Sequence, residues 1–166
     1  MLLGVAHPWS ERKGLKDYIA LSRLLPNDVV IVLVGLSEGQ KESLPDNIVG
    51  LGVTKSQDEL AMLYSMADIV LNLSYAETFG LTTVEGLARG TPGIVYNATA
   101  SPELITDETG IIVEPGDIKG VADAIRQILS HEKPTKACRE RAISMYDKNM
   151  CFEKYIELYE ELVEKK

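Results

Sequence analysis

A glycine between two acidic residues carries the clearest chemical signal in the sequence. Seven residues separate Glu77 from Glu85, and Gly80 lies between them at the expected start of a helix. Glycine lets a ligand approach the backbone closely, and the first N–H groups of a helix have no partner within it. Such groups are expected at Leu81, Thr82 and Thr83. Because a helix N-terminus attracts anions, the pattern predicts a site for a diphosphate that needs no metal ion.

Each acid suits a different part of a ligand bound there. Glu85 falls about one turn into the helix, and from that position its carboxylate can accept hydrogen bonds from two ribose hydroxyls. Glu77 precedes the helix, where it can accept from sugar hydroxyls or stabilise positive charge at an anomeric carbon. The alternatives are a glutamate that only complements the helix dipole for Glu85, and an exposed loop acid for Glu77. Their joint spacing around the Phe79–Gly80 turn favours the functional interpretation.

A basic turn near the amino terminus is a second candidate for anion binding. Arg12 and Lys13 precede Gly14, a natural residue at the start of a helix. Arginine offers phosphate oxygens a planar fork of donors, and lysine offers a compact charge. A solvated basic turn is the alternative. A weaker candidate follows the third predicted strand, where backbone groups of Val53 and Thr54 are placed to border a slot for a base.

Composition limits the class of protein. The 166 residues include 17 basic and 25 acidic side chains, a net charge of −8, which argues against a nucleic-acid-binding surface. The length suits one domain over residues 1–166. Two cysteines and no apolar run of membrane-spanning length favour a cytoplasmic location. Because the chain opens directly in an apolar strand, we expect it to be a portion of a longer protein.

Short apolar runs alternate with helical patterns as far as Pro134. Strands are predicted at six places: 2–6, 29–34, 48–53, 69–73, 93–96 and 111–113. Helices are predicted between them, with N-caps at Ser56, in a capping box with Glu59, and at Asp117. Two closing helices are predicted over 137–145 and 152–163. This alternation predicts a Rossmann-like α/β fold: a doubly wound parallel sheet flanked by helices, with ligands at the carboxyl ends of its strands.

The segment around Gly80 resembles a known signature. Glu77, Phe79-Gly80 and Glu85, followed by Gly-Leu-Ala-Arg-Gly-Thr-Pro, resemble the motif of the retaining family 4 (group 1) glycosyltransferases of the GT-B fold. Five further segments share the resemblance, which covers nearly the whole chain: Arg12–Gly14, Val32–Gly35, Glu59–Asp68, Ser101–Glu103 and Thr109–Gly110. In that family this region is the carboxyl-terminal, donor-binding half. The resemblance does not extend to the amino-terminal half, which carries the acceptor site.

The resemblance implies a role for each candidate residue. Lys13 would hold the diphosphate of a UDP-sugar or GDP-sugar, Glu85 would bind the ribose, and Glu77 would act catalytically at the sugar. The other residues with implied donor contacts are Val53, Thr54, Phe79, Gly80, Leu81 and Thr82. The implied reaction is retaining transfer of a glycosyl group, without a metal or other cofactor. The acceptor, a glycan or a lipid-linked sugar, would be bound through the amino-terminal domain, and the full-length enzyme could lie at a membrane surface.

One position departs from the family pattern. The family commonly has a second diphosphate-binding arginine about six residues before the lysine, and this sequence has His7 there. Three alternatives follow: Arg12 substitutes for it, a protonated His7 does so, or the diphosphate is held less tightly. A neutral histidine packed at the end of a strand is an equal alternative for His7 itself.

Three other functions compete with glycosyl transfer. A nucleotide-sugar epimerase or a sugar phosphorylase would use the same fold. A flavodoxin-like binding module is the non-enzymatic alternative, although the residues after strands one and three do not match the acidic cluster and aspartate of a receiver domain. We also expect that the 166-residue chain by itself binds donor without turnover, since catalysis in a two-domain fold requires closure over both substrates.

Overall fold

A computed structural model describes residues 1–165 as a six-stranded parallel sheet flanked by helices. The strands are β1 Leu2–Val5, β2 Ile31–Val34, β3 Ile48–Leu51, β4 Ile69–Asn72, β5 Gly93–Tyr96 and β6 Gly110–Val113. Their order in the sheet is β3-β2-β1-β4-β5-β6, and every neighbouring pair is parallel. This architecture confirms the predicted doubly wound α/β fold, and all six strands lie where the sequence predicted them.

The central strands are buried on both faces. All four residues of β2 and all four of β4 are buried, as their continuous apolar sequence requires. Several strands are shorter than predicted. Val30 and Val53, for example, lie outside β2 and β3, and both are exposed.

Residues 1–165 also contain seven α-helices: α1 Leu15–Ser22, α2 Glu38–Glu42, α3 Gln57–Met66, α4 Leu81–Ala88, α5 Ile118–Leu129, α6 Thr135–Tyr146 and α7 Lys148–Glu164. The short α2 was not predicted, because its sequence offers no apolar stripe. It begins at Ser37, which forms a full capping box with Gln40.

The predicted capping box of α3 forms only in part. The Ser56 hydroxyl accepts from the backbone N–H of Glu59, as expected. The Glu59 carboxylate, however, accepts from the N–H of Lys55 instead of that of Ser56. The predicted cap of α5 is confirmed, since the Asp117 carboxylate accepts from the N–H of Gly120.

The strand order reverses beside β1. From β1 the chain crosses first to β2 and later to β4, so the loops that leave β1 and β4 start from adjacent strands. In parallel sheets a crevice opens at this switch point, outside the carboxyl ends of the strands. The loop 6–14 and the loop 73–80 therefore meet there.

The two closing helices differ in how they pack. Helix α6 lies against α4, and Leu87, Cys138 and Ala142 form a small buried cluster between them. Burial raises the pKa of the Cys138 thiol to about 11. Helix α7 has no buried residue. Within residues 1–165, no helix combines the length and the apolar character needed to cross a membrane.

Candidate functional site

Gly14 joins the loops that carry the predicted basic and acidic residues. Its φ of 73° is in the left-handed region, and it forms the N-cap of α1. A Cβ atom at this position would lie 2.1 Å from the carbonyl oxygen of Leu73. Only glycine lets the backbone approach the end of β4 so closely. The glycine therefore sets the separation between the first loop and the loop before α4.

Lys13 and Glu77 form an ion pair across these two loops. The Lys13 Nζ atom lies 2.6 Å from Glu77 Oε1, and the two side chains are 20% and 10% exposed. Partial shielding from water strengthens the attraction between such charges. The structure thus brings together the residues that the sequence assigned to the diphosphate and to the sugar, and it pairs them with each other.

The main chain before Glu77 is fixed on both sides. Arg12 donates from its guanidinium to the carbonyl of Ala76 at 2.9 Å, and its own carbonyl accepts from the N–H of Tyr75 at 2.9 Å. On the other side, the Thr99 hydroxyl accepts from the N–H of Glu77 and donates to its carbonyl. Arg12 therefore supports the loop whether or not it also contacts an anion. No pattern in the sequence predicted this role for Thr99, whose φ of 48° is unusual for a residue other than glycine.

The N-terminus of α4 has the predicted form. Gly80 is the N-cap with a φ of 95°, and within residues 1–165 no side chain caps this helix end. A Cβ atom on Gly80 would lie 2.8 Å from a methyl group of Leu104. The exposed Leu81 and half-buried Thr82 follow at the first turn.

Thr83 does not belong to this anion-binding set, in contrast to the prediction. Its N–H is not free for a ligand, because it donates to the carbonyl of Gly80 at 3.0 Å in the first turn of α4. Its hydroxyl is buried and accepts from the Asn72 side chain at 3.1 Å. The N–H groups that remain at the helix start are those of Gly80, Leu81 and Thr82.

Glu85 has an uncharged partner. Its Oε2 atom accepts from the hydroxyl of Tyr64 at 2.7 Å. Tyr64 is 1% exposed, and burial, reinforced by the neighbouring carboxylate, raises the pKa of its hydroxyl. The phenol therefore keeps its proton and remains a donor at neutral pH. Tyr64 lies in the segment that shares the family resemblance, but its contact with Glu85 could not be read from the sequence.

A cavity of about 310 Å³ opens beside Glu85, between α3 and α4. It is lined by Gln57, Leu60, Ala61, Tyr64, Glu85, Ala88 and Arg89. Glu77 does not line this cavity. The two acids of the motif consequently occupy different surroundings: one faces a lysine and the other faces a groove between helices.

The remaining candidates are distributed around the switch point. His7 is exposed, and its Nδ1 atom lies 3.2 Å from the carbonyl of Gly35, to which it can donate. Val53 is 62% exposed in the loop that leads from β3 to α3. Phe79 packs edge-on against Tyr146, with 5.6 Å between the ring centroids, so α6 supports the turn before Gly80. Among residues 1–165, no cluster of three or more side chains is suited to hold a metal ion.

The sequence matches the profile of the family described as "Glycosyl transferases group 1" over residues 3–145. This span includes both loops of the switch point and all of α4. The chain belongs to the group 1 glycosyltransferase family.

Relatives of this group 1 chain are considerably longer than it is. It is 36% identical over 118 residues to N-acetyl-alpha-D-glucosaminyl L-malate synthase of Bacillus anthracis, a match that covers 70% of this chain and 30% of the relative. The chain therefore spans less than a third of that protein's length.

Solved structures share the fold of this group 1 chain. A glycosyltransferase from Rickettsia africae superposes with a TM-score of 0.85 at 26% identity, covering 99% of this chain and 48% of that one. The Anabaena protein HepE, solved in complex with UDP-glucose, superposes with a TM-score of 0.83 at 21% identity, covering 96% of this chain and 48% of that one.

Proposed function

We propose that this chain binds a nucleoside diphosphate sugar and serves as the donor half of a glycosyltransferase that retains anomeric configuration. The observation that carries the proposal is the uncapped, glycine-opened start of α4, with Glu77 on one side and Glu85 on the other. Membership of the group 1 family supports it. The complex of HepE with UDP-glucose supports a sugar nucleotide as the ligand.

The diphosphate is assigned to Lys13 and the first turn of α4. A helix N-terminus offers several N–H groups and a partial positive charge to one anion. Lys13 adds a full positive charge, which is partly shielded from water. These groups would stabilise the negative charge that develops on the departing diphosphate, and they would do so without a metal ion.

The Lys13–Glu77 ion pair gives the donor site an exchange step. When a diphosphate reaches Lys13, it competes with the Glu77 carboxylate for the ammonium group. The freed carboxylate can then accept hydrogen bonds from sugar hydroxyls or stabilise positive charge at the anomeric carbon. Donor binding thereby prepares Glu77 for its proposed role in transfer.

The ribose is assigned to Glu85. Tyr64 occupies one of its carboxylate oxygens and holds the side chain in place. The carboxylate retains further lone pairs for two ribose hydroxyls. The loop of Val53 and Thr54, which leads into α3, is assigned to the base.

The proposal covers the donor side of the reaction only. It assigns residues 1–166 to donor binding and leaves the acceptor to parts of a longer protein. Closure of such parts over the donor would complete the catalytic site. We therefore expect the 166-residue chain to bind donor without transferring its sugar.

A thermal-shift screen tests this function. UDP, GDP, ADP and their glucose or mannose derivatives are added separately at millimolar concentration. A ligand at about 100 times its Kd stabilises the folded chain by about 2.7 kcal/mol, which corresponds to a rise in Tm of roughly 5–10 °C. No shift with any of these compounds would contradict the proposal. Hydrolysis or epimerisation of a labelled donor by the longer protein, without transfer, would instead favour an epimerase or related activity.

A further inference from the structure

Asp17 accepts hydrogen bonds from two tyrosines that lie outside its own helix. It is in the first turn of α1, and its Oδ2 atom lies 2.8 Å from the Tyr75 hydroxyl and 2.7 Å from the Tyr96 hydroxyl. An ionised carboxylate only accepts, so both phenols donate. The hydrogen bond to Asp17 raises the pKa of Tyr75. Burial raises the pKa of Tyr96, and its own hydrogen bond to Asp17 raises that pKa further.

This cluster joins three segments: α1, the loop before α4 and the end of β5. Asp17 follows Lys13 by four residues, and Tyr75 precedes Glu77 by two. Tyr96 is the last residue of β5 and is fully buried, so it provides a fixed point in the core. The rings of the two tyrosines also pack edge to face, 5.5 Å apart.

The hydrogen bond to Asp17 restrains the exposed side chain of Tyr75. Tyr75 is 44% exposed, whereas its backbone is already held by Arg12. Hydrogen bonds to an ionised group are stronger than those between neutral groups. Without Asp17, the Tyr75 ring could turn toward solvent, and the loop that leads to Glu77 would lose this side-chain contact with α1.

We propose that Asp17 is a positioning residue, which sets the placement of Glu77 relative to Lys13 by holding Tyr75 against Tyr96. The inference deepens the proposed function, on which it rests for the assignment of Glu77 to the donor sugar. Asp17 itself is not assigned a contact with the ligand. It acts through the tyrosines and the loop between them and the acid.

A double-mutant cycle tests the positioning without any ligand. The free energy of unfolding is measured for the 166-residue chain, for Asp17→Ala, for Glu77→Gln and for the double variant. If Asp17 sets the geometry of the Lys13–Glu77 pair, the two losses overlap and the double variant is more stable than their sum predicts. Strictly additive losses would overturn the proposal.

Calorimetric titration with UDP and UDP-glucose then tests the functional consequence. Asp17→Ala should weaken UDP-glucose binding about tenfold, the equivalent of one charge-assisted hydrogen bond, with less than about threefold effect on UDP. Asp17→Asn, which keeps an oxygen acceptor, should recover most of the difference. Tyr75→Phe combined with Tyr96→Phe should reproduce Asp17→Ala. Asp58→Ala, which removes an exposed acid from the first turn of α3, is the matched control.

The outcomes separate this inference from the proposed function. Equal losses of UDP and UDP-glucose affinity in Asp17→Ala would show a general structural role and overturn the positioning of Glu77. No binding of either compound, or of GDP and GDP-mannose, by the unaltered chain would contradict the proposed function. In that case the unfolding measurements still decide whether Asp17 controls the Lys13–Glu77 pair.

Discussion

The two acids of the motif lie on opposite sides of one helix start but are held in different ways. Glu77 forms an ion pair with the ammonium group of Lys13, whereas Glu85 accepts a hydrogen bond from the uncharged hydroxyl of Tyr64. A ligand group near Glu77 must therefore displace a cation, while one near Glu85 only adds hydrogen bonds to unused lone pairs. The difference suits an acid that becomes available when the donor binds and another that is available before it binds.

The largest expected effect comes from disrupting the close approach of Gly14 to Leu73, which brings the Lys13 and Glu77 loops together. Gly14→Ala would place a methyl group against the Leu73 carbonyl at a left-handed φ, which should cost at least ~3 kcal/mol of unfolding free energy. Chemical denaturation measures this loss. Gly39→Ala is the control, because a Cβ atom at Gly39 meets nothing within 4 Å inside α2. The control should be neutral or slightly stabilising. Similar losses in both variants would contradict the role of the close approach.

Lys13→Ala should distinguish contacts with the diphosphate from contacts with the nucleoside. We expect a loss of about 3 kcal/mol, roughly a hundredfold, in UDP affinity, because a charged donor to the diphosphate disappears. Affinity for uridine should hardly change. Titration calorimetry with both compounds measures the two effects. Lys16→Ala, at an exposed lysine in the same region, is the control. Equal losses for UDP and uridine in Lys13→Ala would remove Lys13 from the phosphate site.

Glu85→Ala should weaken binding of UDP and uridine by the same factor, about tenfold, because both carry the ribose. The same titrations test this, and they sharpen the contrast with Lys13. Unchanged affinity for both compounds would discredit the ribose assignment.

Glu77→Gln should raise the affinity for UDP, whereas the other substitutions lower it. Removing the carboxylate charge frees Lys13, so UDP should bind a few times more tightly, a gain of about 0.5–1 kcal/mol. In a two-domain enzyme of the proposed kind, Glu77→Ala should mainly lower kcat for transfer. Weaker UDP binding by Glu77→Gln would rule out the exchange of carboxylate for phosphate at Lys13.

Tyr64→Phe should give a change about as small as that of Glu77→Gln. The buried ring remains, and the lost hydroxyl leaves Glu85 less well oriented, so UDP affinity should fall about threefold, near 0.7 kcal/mol. Tyr18→Phe is a matched control for loss of a buried phenol, because the Tyr18 hydroxyl donates to the carbonyl of Leu71. If both variants bind UDP equally well, Tyr64 has no part in orienting Glu85.

The sequence determined the fold to a large extent. Continuous apolar runs such as Ile31–Val34 and Ile69–Asn72 are what strands buried on both faces require, and their alternation with helical patterns indicated the doubly wound sheet. Gly80 and the residues after it indicated an uncapped helix start because local chemistry alone sets that feature. Helix α2 was missed, since its four polar residues and one glycine are held by a cap and not by an apolar face.

Which residues meet was decided by the tertiary structure. Lys13 and Glu77 are 64 residues apart, and Tyr64 and Glu85 are 21 apart, so no local pattern links them. The contact of the Thr83 hydroxyl with Asn72 likewise depends on how α4 lies over β4. Spacing along a chain specifies the helix or strand on which a residue falls. The partners of its side chain follow only from strand order and from close approaches such as that of Gly14, because packing brings distant segments together.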